Sequence, residues 1–265
     1  MNNLFFLSGI ARSGSTLLGS ILNQNPDIYV SPTSPLMDLF CMVDQSLNQL
    51  NVQYTYDYQS CSENINSNLA TLFYKHIDKK YVIDKHRGWP KNINNIKKYI
   101  SLNPKVICTY RPTAEKIVSF LKLINKDPNN SVDKQLMSMG YELNTYNRSM
   151  LLWREYSSDP FFSLKDGLEH FPENIHIVRY DDLVSQPAKE LQKIYNFLDI
   201  PSFNHTFTSI ENTCAEQKDD KWGFQGLHDI RKDISKTSDN PKEVLGNQLY
   251  KFFSDIDSQL NLPTK

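Results

Sequence analysis

The chain has 265 residues, 39% of them hydrophobic, enough for a substantial core in one large α/β domain or two small ones. Its 29 Lys and Arg nearly balance its 30 Asp and Glu. The resulting net charge of −1 argues against the overall basic balance of a nucleic-acid or anionic-membrane binder and leaves only local basic sites.

Four cysteines (Cys41, Cys61, Cys108, Cys214) show no CxxC spacing, and Cys108 lies in an apolar run that suits a buried thiol. Met1 stands only a few residues ahead of the first strand-like run. No charged n-region, long h-region or ~20-residue apolar span precedes that run, so a cytoplasmic chain with no membrane span is expected.

In chain order, the first apolar run (Leu4, Phe5, Phe6, Leu7) leads into Gly9-Ile10-Ala11-Arg12-Ser13-Gly14-Ser15-Thr16, and Leu17-Leu18 opens a helix. This has the spacing of a phosphate-cradling loop, G-x-x-x-x-G-K-S/T, with Ser15 where the lysine would stand. Amides at Gly14, Ser15 and Thr16 would converge on an anion at the positive end of the helix dipole. Arg12 is the cation within the loop. Without the lysine that reaches a β/γ-phosphate, the loop suits a terminal anion other than a nucleoside triphosphate.

Further strands are expected at 27–30, 81–83, 106–110 and 175–178, and helices at 35–49, 63–77, 92–101, 113–125, 133–157 and 187–198. Pro187 suits the first turn of the last helix. Strands separated by helices imply right-handed βαβ crossovers and an α/β fold, a parallel sheet with helices on both faces. Ligands in such folds sit beyond the carboxyl ends of the strands. Gly9–Thr16, Asp84-Lys85-His86-Arg87, Arg111 and Arg179-Tyr180-Asp181 all fall there. The weakly periodic stretch 201–240 reads as a lid or a disordered loop. No linker divides the chain, so residues 1–265 are read as one domain.

At this point the chain resembles the sulfotransferases that use 3′-phosphoadenosine 5′-phosphosulfate (PAPS), in a bacterial-type branch. Ile10 to Leu18 is similar to their 5′-phosphosulfate loop. Val106 to Pro112 with Ser119, eight residues after Arg111, resembles their 3′-phosphate element. Val178 to Val184, Pro187 and Phe197-Leu198 resemble a later strand–helix signature, and Asp84 to Trp89 and Gly226 to Arg231 resemble branch-specific segments.

The resemblance implies a P-loop-type nucleotide-binding fold, with PAPS as donor and 3′,5′-adenosine bisphosphate (PAP) as product. Arg12, Ser13, Gly14, Ser15, Thr16 and Leu17 would hold the 5′ end, and Arg111 and Ser119 the 3′-phosphate. Tyr180 would meet the adenosine, and Arg231 or Lys236 would fold the 201–240 segment over the 3′-phosphate. The acceptor would be a hydroxyl (or amine) on a small molecule or macromolecule, with no nucleic acid among the partners.

Sulfuryl transfer moves a nearly neutral group, so it has less need of Mg²⁺ or the lost lysine than phosphoryl transfer, and no metal is expected. Arg12 and Lys85 are candidates to stabilise the leaving 5′-phosphate oxygen. For the general base, Ser31-Pro32-Thr33-Ser34 carries no carboxylate or imidazole, and His86 is the best-placed imidazole, with His228 and Asp84 in reserve. His76, His170, His176 and His205 read as structural.

Two other readings stay open. In a P-loop kinase or NTPase, Asp84 would end a Walker-B-like strand and hold Mg²⁺. A non-catalytic nucleotide-binding protein would have kept the fold and lost the base.

Overall fold

The computed structural model describes residues 3–49, 54, 57–214, 223–234 and 239–262. Its centre is a five-stranded, all-parallel sheet in the order β2-β3-β1-β4-β5. The strands are β1 (Asn3–Gly9), β2 (Ile28–Thr33), β3 (Tyr81–Lys85), β4 (Val106–Tyr110) and β5 (Ile175–Arg179). Alternation along each strand sends side chains to both faces, and both faces are buried. Phe6, Val82, Val106 and Cys108 enter one core layer, while Leu7, Ile83, Ile107 and Val178 enter the other.

The register aligns the strand ends. Leu7 lies opposite Lys85, Gly9 opposite Thr109, and Tyr110 opposite Arg179. The chain builds outward from β1 to β3 and β2 on one side, then to β4 and β5 on the other. The carboxyl end of β1 is thus the crevice at which such sheets bind ligands.

Strand β2 runs past the expected 27–30 and through Pro32, with an irregular register between Val30 and Thr33. A proline is tolerated there because β2 is an edge strand. Helix α1 (Ser15–Leu22) follows the first loop, and α2 (Leu36–Leu47) and α3 (Tyr58–Phe73) precede β3. A 3-10 turn, Pro90–Asn92, leads into α4 (Ile93–Tyr99), and α5 (Thr113–Lys126) follows β4 closely.

The single helix expected at 133–157 is instead α6 (Ser131–Ser138), α7 (Thr145–Leu152) and a π-turn, Trp153–Ser157, which runs into α8 (Ser158–His170). Gly140 stops α6 with a left-handed φ of 75°. The Asn144 side chain restarts the helix by accepting the Asn147 N–H at 2.8 Å. A periodicity count runs through such a break without registering it.

Beyond β5, α9 (Tyr180–Ser185) is short, and α10 (Pro187–Leu198) has the bounds expected from Pro187. A last helix, α11 (Pro241–Asp257), lies beyond the expected elements. Leu245, Leu249, Phe253 and Ile256 form its buried stripe. It locks onto α5 through Asp257, whose carboxylate accepts the Thr113 N–H at 2.7 Å and the Thr113 hydroxyl at 2.6 Å. Among the described residues, no helix is long and apolar enough to cross a membrane.

Candidate active site

A cleft of about 490 Å³ opens where β1, β3 and β4 end. Its floor is the first loop. Gly14 stands at the start of α1 with φ 96° and offers no side chain to cap the helix. Leu18 N–H bonds back to Gly14 O at 2.9 Å, so the amides ahead of it are those that a helix start leaves without an intrahelical partner. Gly14, Ser15, Thr16 and Leu17 all line the cleft. An anion seated there would meet several N–H donors and the positive end of the helix dipole.

Ser13 departs from this set. Its N–H donates to Ile10 O at 3.0 Å, and its hydroxyl lies 2.7 Å from that of Thr109, fully buried. It ties the loop to the end of β4, and its side chain does not face the cleft.

Arg12 adopts a left-handed backbone (φ 67°), and its side chain crosses the cleft. Nε donates to the Ser119 hydroxyl at 3.1 Å, and Nη1 donates to the Leu227 carbonyl. The loop cation therefore points toward α5 and the 223–234 segment. That strained conformation is held by contacts at both ends.

Arg111, at the end of β4, is 6% exposed and lines the same cleft. Its Nε donates to Glu115 at 3.0 Å, and its guanidinium sits 4.5 Å from the centre of the Tyr180 ring. Tyr180 is the first residue of α9, and its ring lies against Gly14, where an added Cβ would come within 2.8 Å. Gly14, Tyr180 and Arg111 thus form one packed unit joining the first loop to the end of β4.

Lys85 is 5% exposed, with Nζ donating to the Cys214 carbonyl at 3.3 Å. Its backbone is pinned on both sides, since its N–H donates to the Ser31 hydroxyl at 2.9 Å and its carbonyl accepts Ser34 N–H at 2.9 Å. His86 follows, half-buried in the cleft wall. Its Nδ1 accepts the Gly88 N–H at 3.1 Å, and its Nε2 faces Asp38 Oδ2 at 3.5 Å. Burial lowers the proton affinity of this imidazole, against the opposing pull of Asp38 and Asp84.

Asp84 is not part of the cleft. Its carboxylate is fully buried, with one oxygen accepting Trp89 Nε1–H at 2.7 Å and the other bound by the Tyr74 hydroxyl. Desolvation pushes its proton affinity up. Alternation along β3 explains this, because Asp84 shares the inward face of Val82 and lies opposite Phe6. Neither the reserve base nor the Walker-B role finds this carboxylate in the cleft.

The far wall is the segment 223–234. His228 lines the cleft, and its carbonyl accepts Asn212 Nδ2–H at 2.9 Å; Arg231 is exposed at the rim. Lys236 lies outside the described residues. Lys122 and Lys126 also line the cleft, and Lys122 pairs with Asp239. They stand three and seven residues after Ser119, on one face of α5, a helical spacing that would have revealed them.

The sulfotransferase family model matches residues 5–205, and the chain belongs to this family. A curated relative named "Putative protein-tyrosine sulfotransferase", from Caenorhabditis briggsae, is 22% identical over 197 residues. That span is 74% of this chain and 65% of the relative, so the chain covers just under two thirds of the relative's length.

Among solved structures, the sulfotransferase domain from the Synechococcus PCC 7002 olefin synthase matches with a TM-score of 0.52 at 18% identity, covering 99% of this chain and 96% of that one. The sulfotransferase from Alicyclobacillus acidocaldarius matches at 0.51 and 16%, covering 98% and 94%. The sulfotransferase domain from the curacin biosynthetic pathway matches at 0.50 and 17%, covering 99% of each chain. At these identities the likeness is one of fold, an α/β sulfotransferase fold. Neither the phosphotransferase nor the non-catalytic reading is favoured by this family membership.

Proposed function

We propose that this chain transfers the sulfuryl group of PAPS to a hydroxyl (or amine) acceptor and releases PAP, with residues 1–265 forming one domain. The observation that supports the reading is that Gly14 to Leu17, Arg111 and Ser119 line one cleft, with Arg12 donating from the first loop to the Ser119 hydroxyl.

The donor set fits a nucleotide with anions at both ends. Uncapped amides stand at Gly14 to Leu17, a guanidinium at Arg111, and a hydroxyl at Ser119 that accepts from Arg12 and keeps its own proton to donate. The donor supplies a sulfuryl group activated by a 5′-phosphate leaving oxygen. The amides of Gly14 to Leu17 would hold its 5′ end, and Lys85 would place positive charge beside the leaving oxygen as bond cleavage builds charge there. Arg111 and Ser119 would take the 3′-phosphate through charge-assisted hydrogen bonds. Tyr180, carrying the Arg111 guanidinium on its ring, would position that arginine. Arg231, at the rim, would add a further cation, as would Lys236.

A phenol hydroxyl, suggested by the name of the curated relative, is the first acceptor class to try. The four cysteines are free thiols, which supports a reducing, cytoplasmic setting. Calorimetry with PAP and with ATP/Mg²⁺ tests the reading. Metal-independent binding of PAP and little binding of ATP are expected. Tight binding of ATP/Mg²⁺ alone would transfer the assignment to phosphoryl chemistry.

A further inference from the structure

We infer that Asp38, not His86, takes the proton from the acceptor hydroxyl, and that His86 is a positioning residue that holds the Asp38 carboxylate. This rests on the sulfotransferase reading above. The argument begins with the two ring nitrogens of His86. Nδ1 accepts the Gly88 N–H at 3.1 Å, so its lone pair is already engaged. In a neutral imidazole the remaining nitrogen then carries the hydrogen, which places an N–H at Nε2. That nitrogen faces Asp38 Oδ2 at 3.5 Å. A base must offer a lone pair, and in this arrangement His86 offers an N–H to a carboxylate instead.

The surroundings keep the ring in that role. His86 N–H is bound to the Leu7 carbonyl at 3.0 Å, which fixes the residue to the sheet end. Gly88, the partner of Nδ1, is fixed in turn, because its carbonyl accepts Asn92 Nδ2–H at 2.8 Å. The charged groups that face the imidazole are Asp38, Asp84, Arg87 and Lys91, and burial outweighs the two carboxylates in keeping it neutral. Beside Asp38 stands the Cys41 thiol, whose proton affinity is raised by burial and by that carboxylate.

Asp38 has what His86 lacks. Its side chain is 59% exposed against 16% for His86, and it stands 3.5 Å from the ring nitrogen of that cleft-lining residue, at the edge of the cleft. It stands in the first turn of α2, directly after the 31–34 segment that has no base of its own. That segment is tied to the leaving-group wall, since Ser34 N–H donates to the Lys85 carbonyl at 2.9 Å and Thr33 lines the cleft. In the step, the acceptor O–H proton passes to the Asp38 carboxylate as acceptor oxygen bonds to sulfur. The bond from sulfur to the 5′-phosphate oxygen breaks, and its electron pair leaves with PAP. The carboxylic acid then returns its proton to solvent.

The test compares wild type, Asp38→Asn, His86→Gln and His86→Ala, using radiolabelled PAPS with a cell extract as the acceptor mixture, between pH 5 and 9. PAP binding is measured by calorimetry in parallel. Asp38→Asn should lose ~10²–10⁴-fold in rate with PAP affinity unchanged, the range for a lost general base. His86→Gln keeps an N–H that can face the carboxylate and should stay within about tenfold of wild type, with His86→Ala slower.

Any ionisation of the base on the acid limb of the wild-type profile should persist in His86→Gln and vanish in Asp38→Asn. The assignment is overturned if Asp38→Asn turns over like wild type. It is also overturned if His86→Gln abolishes turnover with PAP affinity unchanged. If Asp38→Asn binds no PAP, the pair His86→Gln and His86→Ala carries the test, and an equal loss in the two overturns the assignment. A wild-type chain that binds no PAP, or binds it and transfers nothing, instead sinks the sulfotransferase reading and this assignment with it.

Discussion

The two walls of the cleft are built in different ways. One wall consists of strand ends and the residues just after them: the Gly9–Leu17 loop, Lys85 with His86, and Arg111. Their backbones are fixed by sheet register, and they present side-chain cations and helix-start amides. The facing wall, 223–234, has neither helix nor strand, and two of its ties run through main-chain carbonyls. Leu227 O accepts from Arg12, and His228 O accepts from Asn212. Just before the undescribed residues 215–222, Cys214 O accepts from Lys85 in the same manner. In the proposed reaction the strand-end wall would carry the charge that binds and stabilises, and the coil wall would orient that charge.

If this division holds, the largest losses come from the strand-end wall. Lys85→Ala should reduce kcat ~10²–10³-fold while PAP affinity changes little, because the leaving oxygen gains its charge mainly in the transition state. Pre-steady-state transfer rates beside calorimetric PAP binding make the check. An equal loss in both would recast Lys85 as a ground-state binding residue. Next in size, Arg111→Ala should weaken PAP binding by about 1.5–3 kcal/mol, the range for a hydrogen bond to a charged group. Unchanged PAP affinity with a wild-type circular dichroism spectrum would leave Arg111 as the partner of Glu115 and Tyr180 only.

The same division decides what could be read in the sequence. The strand-end wall was legible because anion chemistry demands particular residue types directly after an apolar run, and Arg12, Lys85 and Arg111 stand there. The parallel α/β fold was legible for a related reason, since β-branched runs alternated with helical periods.

Residues whose direction depends on one step of alternation or one turn of loop were harder to place. Asp84 and Lys85 are neighbours, yet the pleat sends one into the core and the other to the cleft. Ser13 sits in the middle of the loop motif and turns inward to Thr109. The coil wall was legible only in part: Gly226 to Arg231 stood out in the sequence, but the Leu227 and His228 carbonyls that accept bonds there carry no residue identity. Asp38 was hidden for another reason: an exposed acid in the first turn of an amphipathic helix reads as a partner for the helix dipole.

A smaller effect tests the packed unit that joins the two anion ends. Gly14→Ala would force a side chain into a left-handed backbone with its Cβ 2.8 Å from the Tyr180 ring. The cost should be about 1–3 kcal/mol in urea unfolding, with PAP binding weakened as Tyr180 and Arg111 shift. Tyr180→Ala should relieve the clash, so the double variant should recover stability relative to Gly14→Ala. Simple additivity of the two losses would show that the ring and the loop are not coupled.

The smallest effect belongs to the coil wall. Asn212 is exposed, donates its amide to the His228 carbonyl and accepts from the Ser20 hydroxyl at 3.4 Å, so Asn212→Ala removes two neutral hydrogen bonds and leaves every charge in the cleft untouched. A bond of this kind contributes about 0.5–1.5 kcal/mol, so PAP affinity should fall by no more than about tenfold. The more sensitive readout is hydrogen exchange, which reports local opening directly. Amides between residues 225 and 231 should exchange faster in the variant, while those of β1 and β4 stay unchanged. If Asn212→Ala costs as much PAP affinity as Arg111→Ala, the coil wall binds the donor rather than orienting the groups that do. If exchange quickens in β1 as well, the two walls open as one unit, and the contrast between them would lie in chemistry alone.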